Sequence, residues 1–480
     1  MENVREITLD TLVASEREQE LSHRLIRAVL DKYDYLGNRE KAFIKRVTEG
    51  TIERRLELDY YLNAYASVPT HKMKPIIRNL LRMSVYQIRY MDGIPDSAVC
   101  NEACKLAGKR KFQNLKGFVN GVLRSISREK DRLPLPDKSE EPTLYYSVKY
   151  SMPTLLVELW LEEYGRDVTE TMLESLLKVH PVSLRFRGGQ EREPAAGVET
   201  TRGKVTKAQT AQASVAEAVE ALRKQGVSLR QSPYSSHVYL AENAEGIRAL
   251  PGFAEGLFTV QDVSSVLAVQ AAGIRPGDTV VDMCAAPGGK SILAAETAGL
   301  VLAGDISEYK TDLIRENRDR MRSDNIQIRV HDATVFDSEL EEQADVLLLD
   351  VPCSGLGVMG KKRDIKYHVT RESLESITDL QRRIIENSWR YVKPGGTLLY
   401  STCTLHRKEN QEMVKWILEN FPFEEGDIAG YLPGRLLEEK ERLEKQTGNT
   451  DVKKCSVQLL PGFMEADGFF FARLVRKIYG

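Results

Sequence analysis

Two cysteines lie directly after apolar runs that are typical of buried strands. Cys353 follows "LLLDVP" (residues 347–352), and Cys403 follows "LLYST" (residues 398–402). A cysteine thiolate can act as a covalent catalyst, although a single strand-end cysteine more often serves as a small apolar side chain. Because both cysteines come at strand ends and one of them closely follows Asp350, the pattern favours a catalytic pair.

A glycine-rich loop follows another apolar run, in "DMCAAPGGKS" (residues 282–291). Its small residues let the backbone approach a ligand, and the next helix offers free N–H groups. The loop matches neither the dinucleotide motif GxGxxG nor the phosphate motif GxxxxGK[ST]. Asp305 ends the second strand, where it could hold a ribose diol, and Asp332 ends the third. These features predict a pocket for an adenosine without phosphates, which suits S-adenosylmethionine better than NAD or ATP.

Strands and helices alternate from residue 256 onward, which indicates how these residues are positioned. Short apolar strands separated by amphipathic helices indicate an α/β domain with a parallel, doubly wound sheet. Ligands of such sheets bind at the carboxyl ends of the strands. We therefore expect both cysteines, the three aspartates and the glycine-rich loop at one edge of a Rossmann-like sheet.

The rest of the chain follows other patterns, so the sequence predicts a multidomain protein. Apolar residues recur at helical spacing in residues 1–130, which predicts an all-α domain. The proline-rich, charged stretch at residues 131–144 predicts a linker. Residues 145–255 contain "VSLRFR", which alternates with the period of a strand, and predict a small α+β module of ferredoxin-like type. Residues 256–480 then form the Rossmann-like domain.

Composition limits the class of protein. The 480 residues are 42% hydrophobic and 29% charged, and no apolar run approaches the ~18 residues of a membrane span, which predicts a soluble, cytoplasmic protein. Six cysteines without a CxxC pair predict neither a disulfide framework nor a metal site. The net charge is −2, but residues 71–130 hold 13 Lys and Arg against 4 Asp and Glu. This excess suits a nucleic acid, or it is a solvated basic surface.

The motifs "CAAPGGK", "DVPCSG" and "YSTCTL", in this order, resemble those of the Nol1/Nop2/Sun family of RNA cytosine-5 methyltransferases. The resemblance continues through "TVQDVSSVLA", "LQRRII", "VKPGG" and the "EN" at residues 409–410, and covers most of residues 145–480. Near the N-terminus, "NLLRMSVYQIRYMDGIPDSAVCNEACKLA" and "GFVNGVLR" resemble the helical RNA-binding domain of the antitermination factor NusB. The combination is similar to bacterial methyltransferases of 16S ribosomal RNA.

The resemblance implies methylation of cytosine C5 with S-adenosylmethionine as the cofactor. C5 is too weakly nucleophilic to take a methyl group directly, whereas addition of a thiolate at C6 makes it an enamine carbon. The resemblance makes Cys403 the nucleophile, Cys353 the residue that assists product release, and Asp350 the acid at the N3/N4 edge of the base. The cofactor contacts that it implies are Cys284, Ala285, Ala286, Pro287, Gly288, Gly289, Lys290, Asp305, Asp332 and Asp350.

Other functions share these motifs. A transfer-RNA cytosine-5 methyltransferase would carry the same catalytic residues, and a non-catalytic RNA-binding or ribosome assembly factor could retain the fold alone. DNA is disfavoured, because DNA cytosine methyltransferases place the nucleophile in the PC motif. We expect small-subunit ribosomal RNA as the partner, no membrane, and a monomer. Two departures from the family pattern are Arg187, where asparagine is frequent, and the basic loop at residues 360–369, which lacks a proline and could track phosphates.

Overall fold

The structure is a computed structural model that describes residues 3–17, 22–188, 207–244, 246–448, 452 and 454–478. The chain forms two compact units. One consists of Met1–Leu177 together with Met359–Val369, and the other of Lys178–Val358 together with Thr370–Gly480. Among the described residues, every helix is too short or too polar to cross a membrane.

The first unit is helical. Its core is made by helices whose apolar residues recur every three or four positions, as in α5, where Ile77, Leu81, Val85 and Ile88 are all buried. Pro75 stands in the first turn of α5, where its missing N–H costs no hydrogen bond. The helices are α1 (Val4–Ser15), α2 (Ser22–Lys32), α3 (Asn38–Glu53), α4 (Arg55–Tyr65), α5 (Pro75–Tyr90), α6 (Asp96–Lys109), α7 (Lys116–Arg128), α8 (Pro142–Tyr150) and α9 (Thr154–Leu176).

The helical unit extends beyond the predicted boundary at residue 130. Helix α8 packs on α4, and the backbone N–H of Leu56 donates to Ser151 Oγ at 2.9 Å. Helix α9 packs on α8 in turn. The predicted linker therefore connects two helical parts of one compact unit, because the helices that follow it bury their apolar faces there.

The segment Met359–Val369 belongs to the helical unit although it is distant in sequence. Lys366 is buried, and its ammonium donates to the carbonyl of Glu53 at 2.9 Å. Arg363 forms an ion pair with the Glu53 carboxylate at 2.8 Å, and the guanidinium of Arg55 lies 3.6 Å from the centre of the Tyr367 ring. Arg363 and Lys366 therefore contact Glu53, whereas Lys361 in the same loop is exposed.

The second unit begins with a four-stranded antiparallel sheet. The strands β1 (Val182–Phe186), β2 (Ser228–Ser232), β3 (Ser235–Glu242) and β4 (Phe258–Val260) lie in the order β2-β3-β1-β4, and helix α10 (Lys207–Lys224) connects β1 to β2. This order is that of a ferredoxin-like sheet, as predicted. A turn-rich segment takes the place of a second helix between β3 and β4. The polar stretch predicted after β1 lies mostly outside the described residues.

The rest of the second unit is a doubly wound α/β domain with an eight-stranded sheet. Its parallel part has the order β9-β8-β5-β6-β7, and β12 extends it antiparallel to β9. The short strands β10 and β11 both pair with β12. Strands and helices alternate in the order β5 (Thr279–Asp282), α12 (Gly289–Ala295), β6 (Leu300–Asp305), α13 (Glu308–Arg320), β7 (Ile326–Val330), β8 (Ala344–Asp350), α14 (Arg371–Ser388) and β9 (Val392–Thr402).

Further elements complete the second unit: α11 (Val263–Ala272) before the sheet, and α15 (Gln411–Asn420), β10 (Phe423–Glu425), α16 (Gly434–Thr447), β11 (Ser456–Leu459) and β12 (Phe469–Arg476) after β9. The strand order reverses between β5 and β8, which are parallel neighbours. In open α/β sheets such a reversal opens a crevice at the carboxyl ends of the strands. The fold therefore places a binding crevice where β5 and β8 end.

Candidate active site

The glycine-rich loop begins at the carboxyl end of β5 and ends in the first turn of α12. The backbone N–H of Ala286 donates to Asp305 Oδ2 at 2.9 Å, which ties the loop to the end of β6. Gly288 has a φ of 99°, a backbone conformation that side chains disfavour. Burial raises the pKa of the Cys284 thiol strongly, so this cysteine is a protonated part of the loop rather than a nucleophile.

Asp305 and Asp332 end neighbouring strands but have different surroundings. The Asp305 carboxylate is nearly buried and accepts hydrogen bonds from the backbone N–H groups of Ala286 and Ile306 and from Lys310 Nζ at 2.9 Å. Asp332 accepts from the N–H and the hydroxyl of Thr334, bonds that lower its pKa. Asp305 thus fixes the loop, and Asp332 forms a local turn at the edge of the sheet.

Asp350 ends β8 and lies between two polar partners. Lys290 Nζ lies 2.7 Å from Asp350 Oδ2, and Ser401 Oγ donates to Oδ1 at 2.8 Å. Ser401 stands opposite Asp350 in the β8–β9 register. The Asp350 side chain keeps 31% of its surface exposed, so it can still reach a ligand in the crevice. The sequence motif predicts Lys290 only as part of the cofactor loop and gives no sign of its contact with Asp350.

The two cysteines meet at the same edge. Cys353 Sγ and Cys403 Sγ are 3.2 Å apart, and both residues are partly exposed. The hydrogen bond with Cys403 and burial raise the pKa of Cys353 well above its usual value. Cys353 therefore keeps its proton at neutral pH and can donate it in a hydrogen bond to the Cys403 sulfur.

The structure brings together Asp350 and Cys353 after β8, Cys403 after β9, and Lys290 in the first turn of α12. It also brings there three residues to which the sequence motifs assign no role: Gln381, Glu409 and Asn410. All three are completely buried, and all hydrogen-bond to residues beside the cysteines. Glu409 and Asn410 lie in the polar run "HRKENQE" (residues 406–412), which gives no sign that their side chains are buried. The remaining cysteines, Cys100, Cys104 and Cys455, lie in or against the apolar cores.

The comparisons with known proteins bear on the chain as a whole. The family described as 16S rRNA methyltransferase RsmB/F matches residues 269–475. A Bacillus subtilis protein named probable ribosomal RNA small subunit methyltransferase B is 32% identical over 99% of each chain. The chain belongs to the RsmB/F family of 16S rRNA methyltransferases. The family assignment confirms the resemblance drawn from the three motifs.

Further comparisons agree with this assignment. The ribosomal RNA small subunit methyltransferase B of Cronobacter sakazakii is 29% identical over 98% of this chain and 100% of its own. The crystal structure of a methyltransferase homolog protein from Pyrococcus horikoshii covers 70% of this chain and 99% of its own, with a TM-score of 0.53 and 25% identity. The NusB family matches residues 2–128, which hold α1 to α7. This RsmB/F member is therefore a methyltransferase with an N-terminal NusB domain.

Proposed function

We propose that this enzyme methylates C5 of a cytosine in 16S ribosomal RNA through a covalent bond between Cys403 Sγ and C6 of the base. The observation that carries the proposal is the pair of thiols 3.2 Å apart, next to a carboxylate that is held between Lys290 and Ser401. A methyl transfer that needed no covalent catalyst would have no use for two adjacent cysteines.

The residues divide the reaction between them. The Cys403 thiolate attacks C6, and the electron pair of the C5–C6 double bond moves toward N3. N3 takes up a proton and donates it in a hydrogen bond to the Asp350 carboxylate at the N3/N4 edge, which favours the addition. C5 then takes the methyl group, as the bond between the methyl carbon and the sulfonium sulfur of the donor would break and leave a neutral thioether. Loss of the C5 proton to a base reforms the double bond and breaks the bond between Cys403 Sγ and C6. Cys353 assists this release by donating its S–H hydrogen bond to the departing sulfur.

S-adenosylmethionine is the methyl donor that the residues of the crevice fit. When bound, it supplies an electrophilic methyl group on a sulfonium. Asp305 is positioned to accept from the ribose hydroxyls, since a carboxylate has room for more acceptor contacts than the three it makes. Ile306 and Val335 expose 59% and 57% of their surface next to Asp305 and Asp332, which suits the faces of an adenine ring. The backbone of residues 284–290 would line the methionine end of the cofactor.

Covalent trapping tests the mechanism. Cys353→Ala should still attack and methylate but release slowly, so a denaturing gel with labelled 16S RNA should show a shifted band. Cys403→Ala and the double variant should show none, because no bond to C6 forms. A shifted band for Cys403→Ala alone would assign the nucleophile to Cys353. If neither single variant gave a shifted band, the two cysteines would be structural.

The ribosomal substrate rests on the NusB domain and on the names of the relatives, because the catalytic residues alone suit transfer RNA equally well. Bisulfite sequencing of ribosomal RNA from cells with and without this gene identifies the substrate. We expect one 5-methylcytosine of 16S RNA to disappear with the gene. Loss of a transfer-RNA 5-methylcytosine with an unchanged 16S pattern would overturn the proposal.

A further inference from the structure

A buried carboxylate lies behind the loop that carries Cys353. Glu409 is completely buried, at the end of a short turn that precedes α15. Its Oε2 accepts from the backbone N–H of Ser354 and from Gln381 Nε2, both at 2.9 Å. Its Oε1 accepts from Ser354 Oγ at 2.5 Å. A buried charge is costly unless several donors satisfy it, and here the donors come from the residue next to Cys353 and from α14.

The neighbouring Asn410 makes the corresponding contacts on both sides of Cys403. Its Oδ1 accepts from Thr402 Oγ1 at 2.6 Å, and its Nδ2 donates to the carbonyl of Thr404 at 3.0 Å. The same amide donates to Gln458 Oε1 at 2.9 Å, so β11 anchors it. One side chain therefore fixes the residue before Cys403 and the residue after it.

Two further bonds join the loops directly. Ser354 Oγ lies 2.6 Å from Thr404 Oγ1, and because Ser354 donates its proton to Glu409, Thr404 is the donor in this contact. The backbone N–H of Gly357 donates to the carbonyl of Cys403 at 2.9 Å. A side chain at Gly357 would collide with the backbone of Gly468, since its Cβ would lie 1.8 Å from the Gly468 carbonyl oxygen.

We propose that Glu409 and Asn410 are positioning residues with separate tasks: Glu409 holds the Cys353 loop and Asn410 holds the Cys403 turn. Together they set the separation of the two sulfurs. The inference rests on the proposed covalent mechanism. It adds that Glu409 and Asn410, although adjacent in the chain, control different steps of the reaction. Glu409 acts on release, through Cys353, and Asn410 acts on attack, through Cys403.

The chemistry of the contacts makes both residues hard to replace. A carboxylate accepts at both oxygens, so Glu409→Gln keeps the shape but turns one acceptor into a donor that faces an N–H or O–H group. Asn410 both accepts and donates, so Asn410→Asp keeps the bond from Thr402 and loses the bonds to Thr404 and Gln458. Each change is nearly isosteric and alters the loop of one cysteine.

The test compares adduct formation and release in the full-length enzyme with 16S RNA and S-adenosylmethionine. Glu409→Gln should accumulate the denaturation-resistant adduct at a level about tenfold above wild type, as a weaker form of Cys353→Ala. Asn410→Asp, measured in the Cys353→Ala background, should form the adduct about tenfold more slowly. The exposed residues Glu412 and Asn420 on α15 provide matched controls, and Glu412→Gln and Asn420→Asp should behave as wild type.

If Glu409→Gln or Asn410→Asp prevents folding, variants that each remove a single hydrogen-bond donor can replace them in the test. Ser354→Ala removes one donor to Glu409 and should accumulate adduct, whereas Thr402→Val removes one donor to Asn410 and should slow its formation. If Cys353→Ala traps an adduct but Glu409→Gln and Ser354→Ala do not, Glu409 has no role in release. Equal effects of the Glu409 and Asn410 variants on both steps would contradict the division of tasks. Absence of an adduct in Cys353→Ala would overturn the covalent mechanism and this inference with it.

Discussion

The sulfur atoms of Cys353 and Cys403 are 3.2 Å apart although fifty positions separate the two residues in the chain. They meet because β8 and β9 are parallel neighbours in register, with Asp350 opposite Ser401, so that the residues after both strands leave the sheet at one edge. Cys353 keeps its proton, so its S–H group can donate a hydrogen bond to the Cys403 sulfur.

The first prediction concerns oxidation of this pair. A mild thiol oxidant such as diamide should join Cys353 to Cys403 and abolish activity, because the sulfurs need to approach only from 3.2 Å to about 2.05 Å. Reduction with dithiothreitol should restore the activity. Mass spectrometry of the digested, oxidised protein should show the Cys353 peptide joined to the Cys403 peptide by a disulfide. Retention of full activity with both thiols alkylatable would contradict the proximity of the two sulfurs.

The second prediction concerns Lys290, whose ammonium lies 2.7 Å from Asp350. Lys290→Met should lower kcat by about 10²-fold or more, because Asp350 loses the cation that orients it toward the base. Lys310→Met, which removes the cation beside Asp305, is the control and should affect KM for the cofactor rather than kcat. A Lys290→Met enzyme that kept its kcat would show that this ion pair is only structural.

The third prediction separates the two strand-end aspartates. Asp305→Ala should weaken S-adenosylmethionine binding by ~1.5–3 kcal/mol, since it removes an acceptor for the ribose and frees the loop at Ala286. Asp332→Ala should weaken binding less, because Asp332 is exposed and satisfied by Thr334. Isothermal titration calorimetry measures both. Unchanged affinity in a folded Asp305→Ala protein would remove Asp305 from the cofactor site.

The fourth prediction is a pH dependence of stability that arises at Asp282. Burial raises its pKa to about 7, although Ser291 Oγ donates to it at 2.6 Å. The folded state keeps a proton that the unfolded state loses above about pH 4, so this residue's contribution to stability falls as pH rises from about 4 to about 7 and is constant above that. Asp282→Asn removes this dependence. The free energy of unfolding in urea of the variant, relative to that of wild type, should rise by on the order of 2–4 kcal/mol between about pH 5 and pH 8. If this difference in unfolding free energy were the same at both pH values, the raised pKa of Asp282 would be contradicted.

The fifth prediction concerns RNA binding by the NusB domain. Several basic residues of the window 71–130 form ion pairs, as Arg82 does with Glu16 and Asp59. Lys111, Arg124 and Arg128 are exposed and are the better candidates for binding phosphates.

Replacing these three residues by glutamine should weaken binding to 16S RNA and reduce the slope of log K against log salt by ~0.7–0.9 for each phosphate that is no longer neutralised. Cofactor affinity should not change. Lys105→Gln is the control, because Lys105 is equally exposed but lies 2.8 Å from Glu102. If the triple variant and the control bound RNA with the same salt slope, the RNA-binding surface would lie elsewhere.

Much of the α/β domain could be predicted from sequence because its strands are short apolar runs with one polar residue at the end. Asp305, Asp350 and Cys403 were placed at the correct edge for this reason. The antiparallel strands β10 to β12 were not foreseen, because a strand that returns along a sheet edge has no helix to mark it. The contact between Lys290 and Asp350 depends on the pairing of β5 with β8, which sequence spacing alone does not specify.

The helical unit shows a different limit of sequence reasoning. The helices were predicted from their apolar spacing, but the end of the unit was placed at residue 130. Helix α8 follows a stretch of prolines and charges that is typical of a linker, and only its packing on α4 brings it into the unit. Likewise, the charges of residues 360–369 do not indicate that Lys366 is buried against Glu53, because that contact depends on tertiary packing.

The placement of Met359–Val369 in the helical unit has a consequence for protein synthesis. The N-terminal helices leave the ribosome first, yet the side chains that bury Glu53 and stack on Arg55 are translated only after the whole small sheet and four strands of the large sheet. Until then the nascent helical unit must expose the surface that Tyr367 covers. The last step of its cotranslational folding is therefore coupled to completion of β8, so that the helical unit reaches its final form only when the Cys353 loop has already been made.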